Sequence, residues 1–305
     1  MSRPAPRISI VIPAYNAAPF IEKTLETVAA QTFRDFELLV VDDGSKDGTH
    51  EVVERFLRDR SLAGACLRQE NKKIAAARNH GNRASSGELV AFLDHDDLWL
   101  PSKLATCVAA LDARPEIGLV CHAEEILSEG RVVRVARYGP WVEGMYERLL
   151  FKGNALSPSA VVVRRAHLQE VGGFRENPEF NTVEDYDLWM RLARVCRFQF
   201  LDEVLGRYVL VPAAASNRVV YHHDNAETLL RDHFRALYGD APGPLARLRM
   251  RRRLSAVYRS ALGALMSKRE SPDLQGRYAR RMLGAFPLDA KNLVRAAQWA
   301  LGRGR

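Results

Sequence analysis

The chain has 305 residues, of which 47% are hydrophobic and 27% charged; this is the composition of an ordinary globular protein and excludes global disorder. No run approaches the roughly 20 apolar residues of a membrane-spanning helix, and four scattered cysteines exclude a disulfide framework or a cysteine-rich zinc site. The net charge of +8 is unevenly distributed, because residues 242–305 carry 15 Lys and Arg against 3 Asp and Glu while the remainder is net −4.

Short apolar runs alternate with segments of helical periodicity through the first two thirds of the chain. Strands are predicted at residues 8–12, 37–41, 62–68 and 88–93, and helices at residues 20–31, 47–60, 74–84 and 100–111. Further strands are predicted at residues 118–121, 131–136 and 160–163, and a helix at residues 185–194. This alternation predicts an α/β fold, with a mostly parallel mixed sheet flanked by helices.

Polar side chains follow three of the predicted strands at the point where each strand ends. The sequences are Pro-Ala-Tyr-Asn at residues 13–16, Asp-Asp-Gly-Ser at residues 42–45 and Asp-His-Asp-Asp at residues 94–97. Open α/β sheets bind ligands beyond the carboxyl ends of their strands, so these motifs are expected to share one crevice. Neighbouring carboxylates repel unless cations or hydrogen-bond donors offset their charge, and Asp-x-Asp offers the oxygen ligands that Mg²⁺ and Mn²⁺ prefer.

Each motif alone also has an ordinary structural interpretation. Asp-Asp-Gly-Ser is good turn chemistry, and Asp97 or Ser102 would suit the N-cap of the next helix. Glu184 and Asp185 begin a predicted helix, where the helix dipole favours acids. Trp189 lies one turn later on the same face, and the core is its favoured location. The coincidence of two acidic motifs at one sheet edge favours a binding site.

Seven stretches, taken in order, resemble glycosyltransferase family 2, whose catalytic domain has the GT-A fold. They are I-S-I-V-I-P-A-Y-N (8–16), Q-T-F (31–33), F-E-L-L-V-V-D-D-G-S (36–45), A-R-N-H-G (77–81), G-E-L-V-A-F-L-D-H-D-D (87–97), V-G-G-F (171–174) and E-D-Y-D-L-W (184–189). Their order and spacing match from about residue 8 to about residue 210. One such motif is weak, whereas the ordered set is specific.

The resemblance implies a metal-dependent inverting glycosyltransferase of the hexosyltransferase type. Its donor would be a nucleotide-diphosphate sugar, with UDP favoured, and its acceptor a hydroxyl of a glycan or a lipid-linked molecule in cell-surface polysaccharide synthesis. The nucleotide would be bound by Pro13, Ala14, Tyr15, Asp42, Asp43, Arg78, Asp94 and His95. Asp94 and Asp96 would hold Mn²⁺ or Mg²⁺, and Asp185 would be the catalytic base. Glu184 and Trp189 would lie on the acceptor side.

Elementary chemistry agrees with these implied roles. Sugar transfer passes through an oxocarbenium-like transition state while negative charge develops on the leaving diphosphate. A metal ion and an arginine neutralise that charge, and one carboxylate deprotonates the acceptor hydroxyl from the opposite face of the sugar. One base with no enzyme nucleophile means inversion at the anomeric carbon.

The chain departs from the family pattern at two places. The family usually has Gly two residues after the Asn of its N-x-G stretch. Here Asn71 is followed by Lys72-Lys73, so Lys73 takes that position and the loop carries extra positive charge. Many relatives place a His shortly after an Arg-Tyr pair, but Arg207-Tyr208 is followed by Val-Leu-Val. His222 or His223 is the candidate replacement as a metal ligand, although solvated histidines are the favoured interpretation.

The C-terminal part lies outside the resemblance. A Gly- and Pro-rich stretch at residues 239–244 predicts a boundary between a catalytic domain, residues 1–240, and a basic helical extension, residues 241–305. One helical face of the extension is apolar and comprises Leu254, Val257, Ala261, Leu262, Leu265 and Met266. This face either lies on an anionic membrane or packs against the protein with the arginines in solvent. The predicted location is cytoplasmic, and the first alternative adds the inner face of the membrane.

Three other classes of protein compete with a transferase. A nucleic-acid binder would use the basic segment, but the body of the chain is net acidic and carries no nucleic-acid motif, so no nucleic-acid partner is expected. A nucleotidyltransferase would share the sheet and the carboxylates, yet this chain lacks both glycine-rich phosphate loops, G-x-x-x-x-G-K-[ST] and G-x-G-x-x-G. A nucleotide-sugar-binding protein without catalysis is the last alternative, against which Asp96 and Asp185 argue.

Overall fold

The structure is a computed structural model that describes residues 5–211 and 218–302. Its strands are β1 (Ile8–Ala14), β2 (Phe36–Asp42), β3 (Gly64–Arg68), β4 (Leu89–Phe92), β5 (Leu98–Trp99), β6 (Ile117–Ser128), β7 (Arg131–Ala136), β8 (Val161–Arg164) and β9 (Arg197–Val209). Its helices are α1 (Ile21–Ala29), α2 (Thr49–Asp59), α3 (Lys73–Ala84), α4 (Lys103–Ala113), α5 (Met145–Lys152), α6 (Arg165–Glu170), α7 (Glu184–Leu192), α8 (Val219–Tyr238), α9 (Pro244–Ser267), α10 (Pro272–Ala285) and α11 (Ala290–Gly302).

The described strands form one mixed sheet in the order β3-β2-β1-β4-β8-β6-β9-β5, with β7 paired to β6. The segment β3-β2-β1-β4 is parallel, and β8 runs antiparallel between β4 and β6. Pro13 lies inside β1 in register with Val41, although we predicted the strand to end before it. Pairing of β1 with β4 ends at Val11, so Pro13 lies where only one neighbouring strand pairs.

The core lies on both faces of β1, β2 and β4, which is why these strands are mostly apolar. Every residue of β1 is buried. Helix α1 packs on the sheet through Ile21, Leu25 and Val28, which recur at helical spacing and are fully buried. The predicted helices and strands of this region are all present, and the alternation of strand and helix therefore positions the ends of β1, β2 and β4 at one edge.

Two compact units divide the described chain. The first comprises residues 5–146, 154–176 and 184–211, and the second comprises residues 147–153, 177–183 and 218–302. We predicted the boundary near residue 240, but α8 belongs with the C-terminal helices. The Gly- and Pro-rich stretch is a turn between α8 and α9, with Gly239 at a φ of 69°.

The second unit is held together by apolar contacts and by buried polar groups. Of the predicted apolar face of α9, Leu254, Val257, Ala261, Leu262 and Leu265 are buried. Arg281 of α10 donates to Asp224 and Glu227 of α8, which joins two helices through ion pairs. The apolar face, for which the sequence left open a membrane or protein packing, is therefore used for packing.

No helix within residues 5–211 and 218–302 is both long enough and apolar enough to cross a membrane.

Candidate active site

The ends of β1, β2 and β4 meet at one edge of the sheet. The amide of Asp43, after β2, donates to the carbonyl oxygen of Ala14 at 2.8 Å. The Nδ1 atom of His95, after β4, lies 3.2 Å from the carbonyl oxygen of Pro13. Seven carboxylates belong to this edge and to the start of α7, and we call them the acidic crevice: Asp42, Asp43, Asp94, Asp96, Asp97, Glu184 and Asp185.

Hydrogen-bond donors of the loop before α3 surround the carboxylate of Asp43. Its Oδ1 accepts from Gln69 Nε2 and from the amide of Lys72, both at 2.8 Å, and its Oδ2 accepts from the amide of Lys73 at 2.9 Å. Lys73 stands where the family has Gly and has a φ of 73°. The left-handed conformation explains a preference for Gly at this position, and it aims two amides at one carboxylate.

The turns after β1 and β2 support one another. Asp42 is fully buried, and its Oδ1 accepts from the amide of Ser45 at 2.9 Å. The hydroxyl of Ser45 accepts from the amide of Asn16 at 2.9 Å. Pro13 and Ala14 are buried, whereas the ring of Tyr15 is 46% exposed. The ring of Tyr15 is therefore accessible at the end of β1, where a nucleobase could stack on it.

Arg78, on α3, joins two of the predicted motifs. It is 1% exposed, and it donates to Asp94 Oδ1 at 2.6 Å and to Glu184 Oε1 at 2.7 Å. Its guanidinium also lies over the ring of Phe174, with the carbon 5.4 Å from the centroid. Burial alone would lower the pKa of Arg78, but the two carboxylates outweigh burial and raise it. A sequence motif could not reveal that this arginine connects β4 to α7.

Asp94 and Asp96 remain the candidates for holding a metal ion. Among the residues that the structure describes, no three His, Cys, Asp or Glu side chains are assembled into a metal cluster. Two carboxylates nevertheless suit Mg²⁺ or Mn²⁺, which keep several waters and bind substrate phosphates. The pKa of the Asp96 carboxyl is raised chiefly by burial and further by the charge of Asp94. A cation would relieve that repulsion, so the donor set fits the group.

Asp97 supports the loop instead of capping a helix. Its Oδ2 accepts from Ser159 Oγ at 2.6 Å, and its Oδ1 accepts from the amide of Val209 at 2.9 Å. Ser102 precedes α4 but makes no side-chain cap. Neither expected cap is therefore formed, and the buried carboxylate of Asp97 holds the Asp-His-Asp-Asp loop against β9. The contact with Ser159 could not be predicted from sequence, because Ser159 lies in no motif.

The carboxyl of Asp185, the expected catalytic base, has a raised pKa. Burial raises the pKa of its carboxyl to about 7, with a further contribution from the neighbouring Glu184 and an opposing one from Arg78. Its Oδ1 accepts from the amide of Tyr186 at 2.7 Å, and Asn154 Nδ2 donates to its Oδ2 at 3.3 Å. Sequence reasoning missed Asn154, because it lies in no motif and 31 residues before Asp185.

The remaining candidate residues are Glu184, Trp189, His222 and His223. Glu184 is buried in its ion pair with Arg78, and Trp189 is 0% exposed and lies in the core. His222 Nδ1 lies 3.1 Å from Thr182 Oγ1, and His223 Nδ1 lies 2.8 Å from the carbonyl oxygen of Val219. Burial lowers the pKa of His222 to about 4. Both histidines are half-buried on α8 and form their hydrogen bonds within the second compact unit, which we call the helical unit, rather than being solvated.

Residues 9–172 match the family model described as Glycosyl transferase family 2. An uncharacterised glycosyltransferase of Nostoc sp. is 32% identical over 170 residues, which cover 54% of this chain and 53% of that relative. An uncharacterised glycosyltransferase of Rickettsia felis is 26% identical over 230 residues, which cover 73% of this chain and 37% of the relative. The chain therefore spans about a third to a half of the length of these curated relatives.

Solved structures share the fold. The crystal structure of TarS 1–349 from S. aureus in complex with UDP has a TM-score of 0.66 at 20% identity, covering 98% of this chain and 87% of that one. The mannosyltransferase PcManGT from Pyrobaculum calidifontis in complex with GDP-Man and Mn²⁺ has a TM-score of 0.58 at 24% identity, covering 98% and 85%. The architecture of this chain is accordingly the GT-A fold.

Proposed function

This chain belongs to glycosyltransferase family 2, and we propose that it is a metal-dependent inverting transferase that uses a UDP-sugar. The main support for this proposal is the connection, through Arg78 and Glu184, between the Asp94 loop and the start of α7, where Asp185 lies. Arg78 hydrogen bonds to Asp94 on one side and to Glu184 on the other. A donor held by the first loop and a base on α7 would thus be kept in a fixed geometry, which is what transfer chemistry needs.

The donor nucleotide would occupy the edge formed by β1, β2 and β4. Tyr15 would stack on the base, and Asp43 would accept from it, with Pro13, Ala14, Asp42 and His95 shaping the pocket. Asp94 and Asp96 would hold Mn²⁺ or Mg²⁺, which supplies positive charge to the leaving diphosphate when bound. Support for the nucleotide and the metal comes from TarS bound to UDP and from PcManGT bound to GDP-Man and Mn²⁺.

Asp185 would act on the acceptor. An oxygen of its carboxylate accepts the proton of an acceptor hydroxyl, and that hydroxyl oxygen bonds to the anomeric carbon as the bond to the diphosphate breaks. Attack from the face opposite the diphosphate inverts the anomeric configuration. Arg78 holds Glu184 and restrains the start of α7, so it would position the base. The acceptor is proposed to be a glycan or lipid-linked hydroxyl in polysaccharide synthesis.

Calorimetric titration tests the donor site first. UDP, GDP and dTDP are titrated into the wild type and Asp96→Ala, with and without Mn²⁺, and Asp59→Ala at the exposed end of α2 serves as the matched control. We expect metal-dependent binding of UDP that is lost in Asp96→Ala and kept in Asp59→Ala. Binding of no nucleotide under any metal condition would contradict the donor site, and preference for GDP or dTDP would correct the donor.

We also propose that the helical unit docks on anionic lipid, where a lipid-linked acceptor would be met. The start of α9 supports this proposal, because Leu245 and Leu248 are 71% and 50% exposed among exposed arginines that include Arg249 and Arg252. An exposed apolar residue beside a cation suits the interface of an anionic bilayer. This surface differs from the buried face of α9 that sequence periodicity indicated.

Vesicle sedimentation tests the docking surface. The full chain should sediment with vesicles of phosphatidylcholine and phosphatidylglycerol but not with phosphatidylcholine alone. Leu245→Gln/Leu248→Gln should weaken that binding by about tenfold or more, since each buried leucine contributes roughly 1.5–3 kcal/mol. Substitution of Val132 and Val133, exposed on β7, by Gln is the matched control. Equal binding by both double variants would contradict the assignment.

A further inference from the structure

A groove of about 450 Å³ lies among α8, α9 and α10 of the helical unit. It is lined by Arg231, Arg247, Met250, Arg251, Leu254, Tyr258, Arg281, Gly284 and Ala285. We call it the arginine groove. Its volume falls in the range of small-molecule sites, roughly 300–1,000 Å³. The lining combines four guanidiniums with apolar side chains and contains no carboxylate.

The carboxylates beside the groove do not balance its arginines. Glu227 accepts from Arg231 at 2.8 Å and also from Arg281. Asp224 accepts from Arg281 at 2.7 Å and also lies 3.8 Å from Arg277. Two carboxylates are thus shared by three arginines, of which two line the groove. A surplus of positive charge remains, and arginine cannot relieve it by losing a proton.

Two of the lining arginines, Arg247 and Arg251, have no carboxylate partner among the residues that the structure describes. Arg247 is exposed and makes no ion pair or side-chain hydrogen bond with any residue that the structure describes. Arg251 donates to the carbonyl oxygens of Ala285 at 2.9 Å and Gly284 at 3.0 Å. These bonds cap the end of α10, so the partial negative charge of that helix terminus is already offset.

The chemistry of this lining selects its ligand. Guanidinium forks bind pairs of phosphate oxygens, and a phosphate or diphosphate carries the negative charge that the surplus of arginines lacks. Met250 and Leu254 add apolar surface next to the cations, and Arg281 lies over the ring of Tyr258 at 4.5 Å. We infer that the arginine groove binds a phosphate or diphosphate group, carried either by a lipid headgroup or by a small soluble molecule. The site does not depend on the proposed transfer reaction.

The test is calorimetric titration of inorganic pyrophosphate and inorganic phosphate into the full chain. EDTA is present throughout, so that Asp94 and Asp96 hold no metal ion. Pyrophosphate therefore cannot bind to the proposed donor site by way of a metal ion. Arg231→Gln/Arg247→Gln should lower the affinity for pyrophosphate by at least about tenfold, since a hydrogen bond to a charged group is strong. The matched control is Arg235→Gln/Arg252→Gln, which removes the same charge from the same two helices outside the groove.

Three outcomes decide the inference. The inference is supported if Arg231→Gln/Arg247→Gln loses affinity for pyrophosphate while Arg235→Gln/Arg252→Gln and Asp96→Ala keep it. That result does not depend on whether the protein binds UDP. It is overturned if both double variants lose affinity equally, or if the wild type binds neither anion nor vesicles containing phosphatidic acid. Arg231→Lys/Arg247→Lys is a control for misfolding, because it keeps both positive charges. It should retain only part of the wild-type affinity for pyrophosphate, since lysine lacks the guanidinium fork.

Vesicles identify the source of the phosphate. Wild-type binding to vesicles of phosphatidylcholine with phosphatidic acid, competed by pyrophosphate and lost in Arg231→Gln/Arg247→Gln, assigns the groove to a lipid headgroup. Pyrophosphate binding without that competition assigns it to a soluble phosphate compound. Leu245→Gln/Leu248→Gln should leave pyrophosphate affinity unchanged, which separates this site from the docking surface.

Discussion

The acidic crevice and the arginine groove carry opposite charge imbalances. In the crevice, the buried guanidinium of Arg78 meets two of seven carboxylates. In the groove, four guanidiniums stand beside two carboxylates, Glu227 and Asp224. Each region therefore has a surplus that a ligand of the opposite charge would neutralise, a cation in the first and a phosphate in the second.

The two surpluses are tolerated in different ways. The crevice uses backbone amides around Asp43 and raises the pKa of Asp96 and of Asp185, so its charge can fall by protonation. Arginine cannot be deprotonated in a protein, so the groove keeps its charge and places much of it in solvent. We therefore expect pH to change the charge of the acidic crevice and to leave the charge of the arginine groove unchanged.

The largest expected effect comes from removing the proposed base. Asp185→Asn keeps the shape of the side chain but cannot accept the acceptor proton, so release of UDP from a UDP-sugar should fall by about 10²- to 10⁴-fold. UDP affinity in the presence of Mn²⁺ should stay within about twofold of the wild type, because this substitution spares the donor side. Unchanged turnover would remove Asp185 from the reaction.

Loss of the buried cation of the crevice should cost stability. Arg78→Met leaves Asp94 and Glu184 without their partner, and breaking a buried ion pair in this way costs about 3–5 kcal/mol. Denaturant unfolding measures the change. Arg83→Met on the same helix is the control, because Arg83 is exposed and its pair with Glu176 is 3.7 Å long, so about 0.5 kcal/mol is expected. Similar losses in both variants would mean that Arg78 has no special role.

Turnover and stability should both depend on the protonation of Asp185 in the acidic crevice. Because burial and Glu184 raise the pKa of Asp185 to about 7, the base is protonated below that pH. Turnover should therefore fall about tenfold per pH unit below 7 and level off above it. The folded state holds the proton more tightly than the unfolded chain does, so charged Asp185 destabilises the fold at pH 8, and Asp185→Asn should melt at a higher temperature there. A flat profile between pH 5 and 8 would contradict the assignment.

Strands β1, β2 and β4 could be predicted from sequence because burial on both faces makes them mostly apolar runs. Strand β9 could not, since its buried and exposed residues do not alternate and its register with β6 shifts three times. Helix α8 was also missed. It buries Asn225, Glu227 and His233, polar residues that no hydrophobic periodicity reveals, and Glu227 is tolerated because Arg281 reaches it from α10.

Some residues of the candidate site could likewise be predicted from sequence, and others could not. Asp43, Asp96 and Asp185 lie in motifs, so the amino-acid sequence alone identifies them as candidates through its resemblance to the family. Asn154 and Ser159 contact the motif carboxylates from segments without a motif. Tertiary contacts between segments distant in sequence are the information that a single sequence lacks.

Glu227 limits the positive surplus of the arginine groove. Glu227→Gln removes a negative charge that Arg231 and Arg281 share, so the positive surplus grows. Pyrophosphate should then bind about fivefold more tightly, which corresponds to about 1 kcal/mol for one charge pair in water. Calorimetry in EDTA measures it, and Glu147→Gln on α5 is the control. Weaker binding would mean that Glu227 serves the site by orienting the arginines.

The smallest effect concerns how the crevice holds Asp43. Lys73 adopts a φ of 73°, which costs a non-glycine residue about 1–2 kcal/mol, while Gly loses about 0.5–1 kcal/mol more chain entropy on folding. Lys73→Gly should therefore stabilise the protein by about 0.5–1 kcal/mol in denaturant unfolding. The amide to Asp43 is kept, so UDP affinity should not change if the crevice depends on backbone donors. Lys73→Ala separates the alternatives, because it removes the charge and keeps the strain. Equal loss of UDP affinity in both variants would show that the lysine charge, and not the backbone amide, serves the donor site.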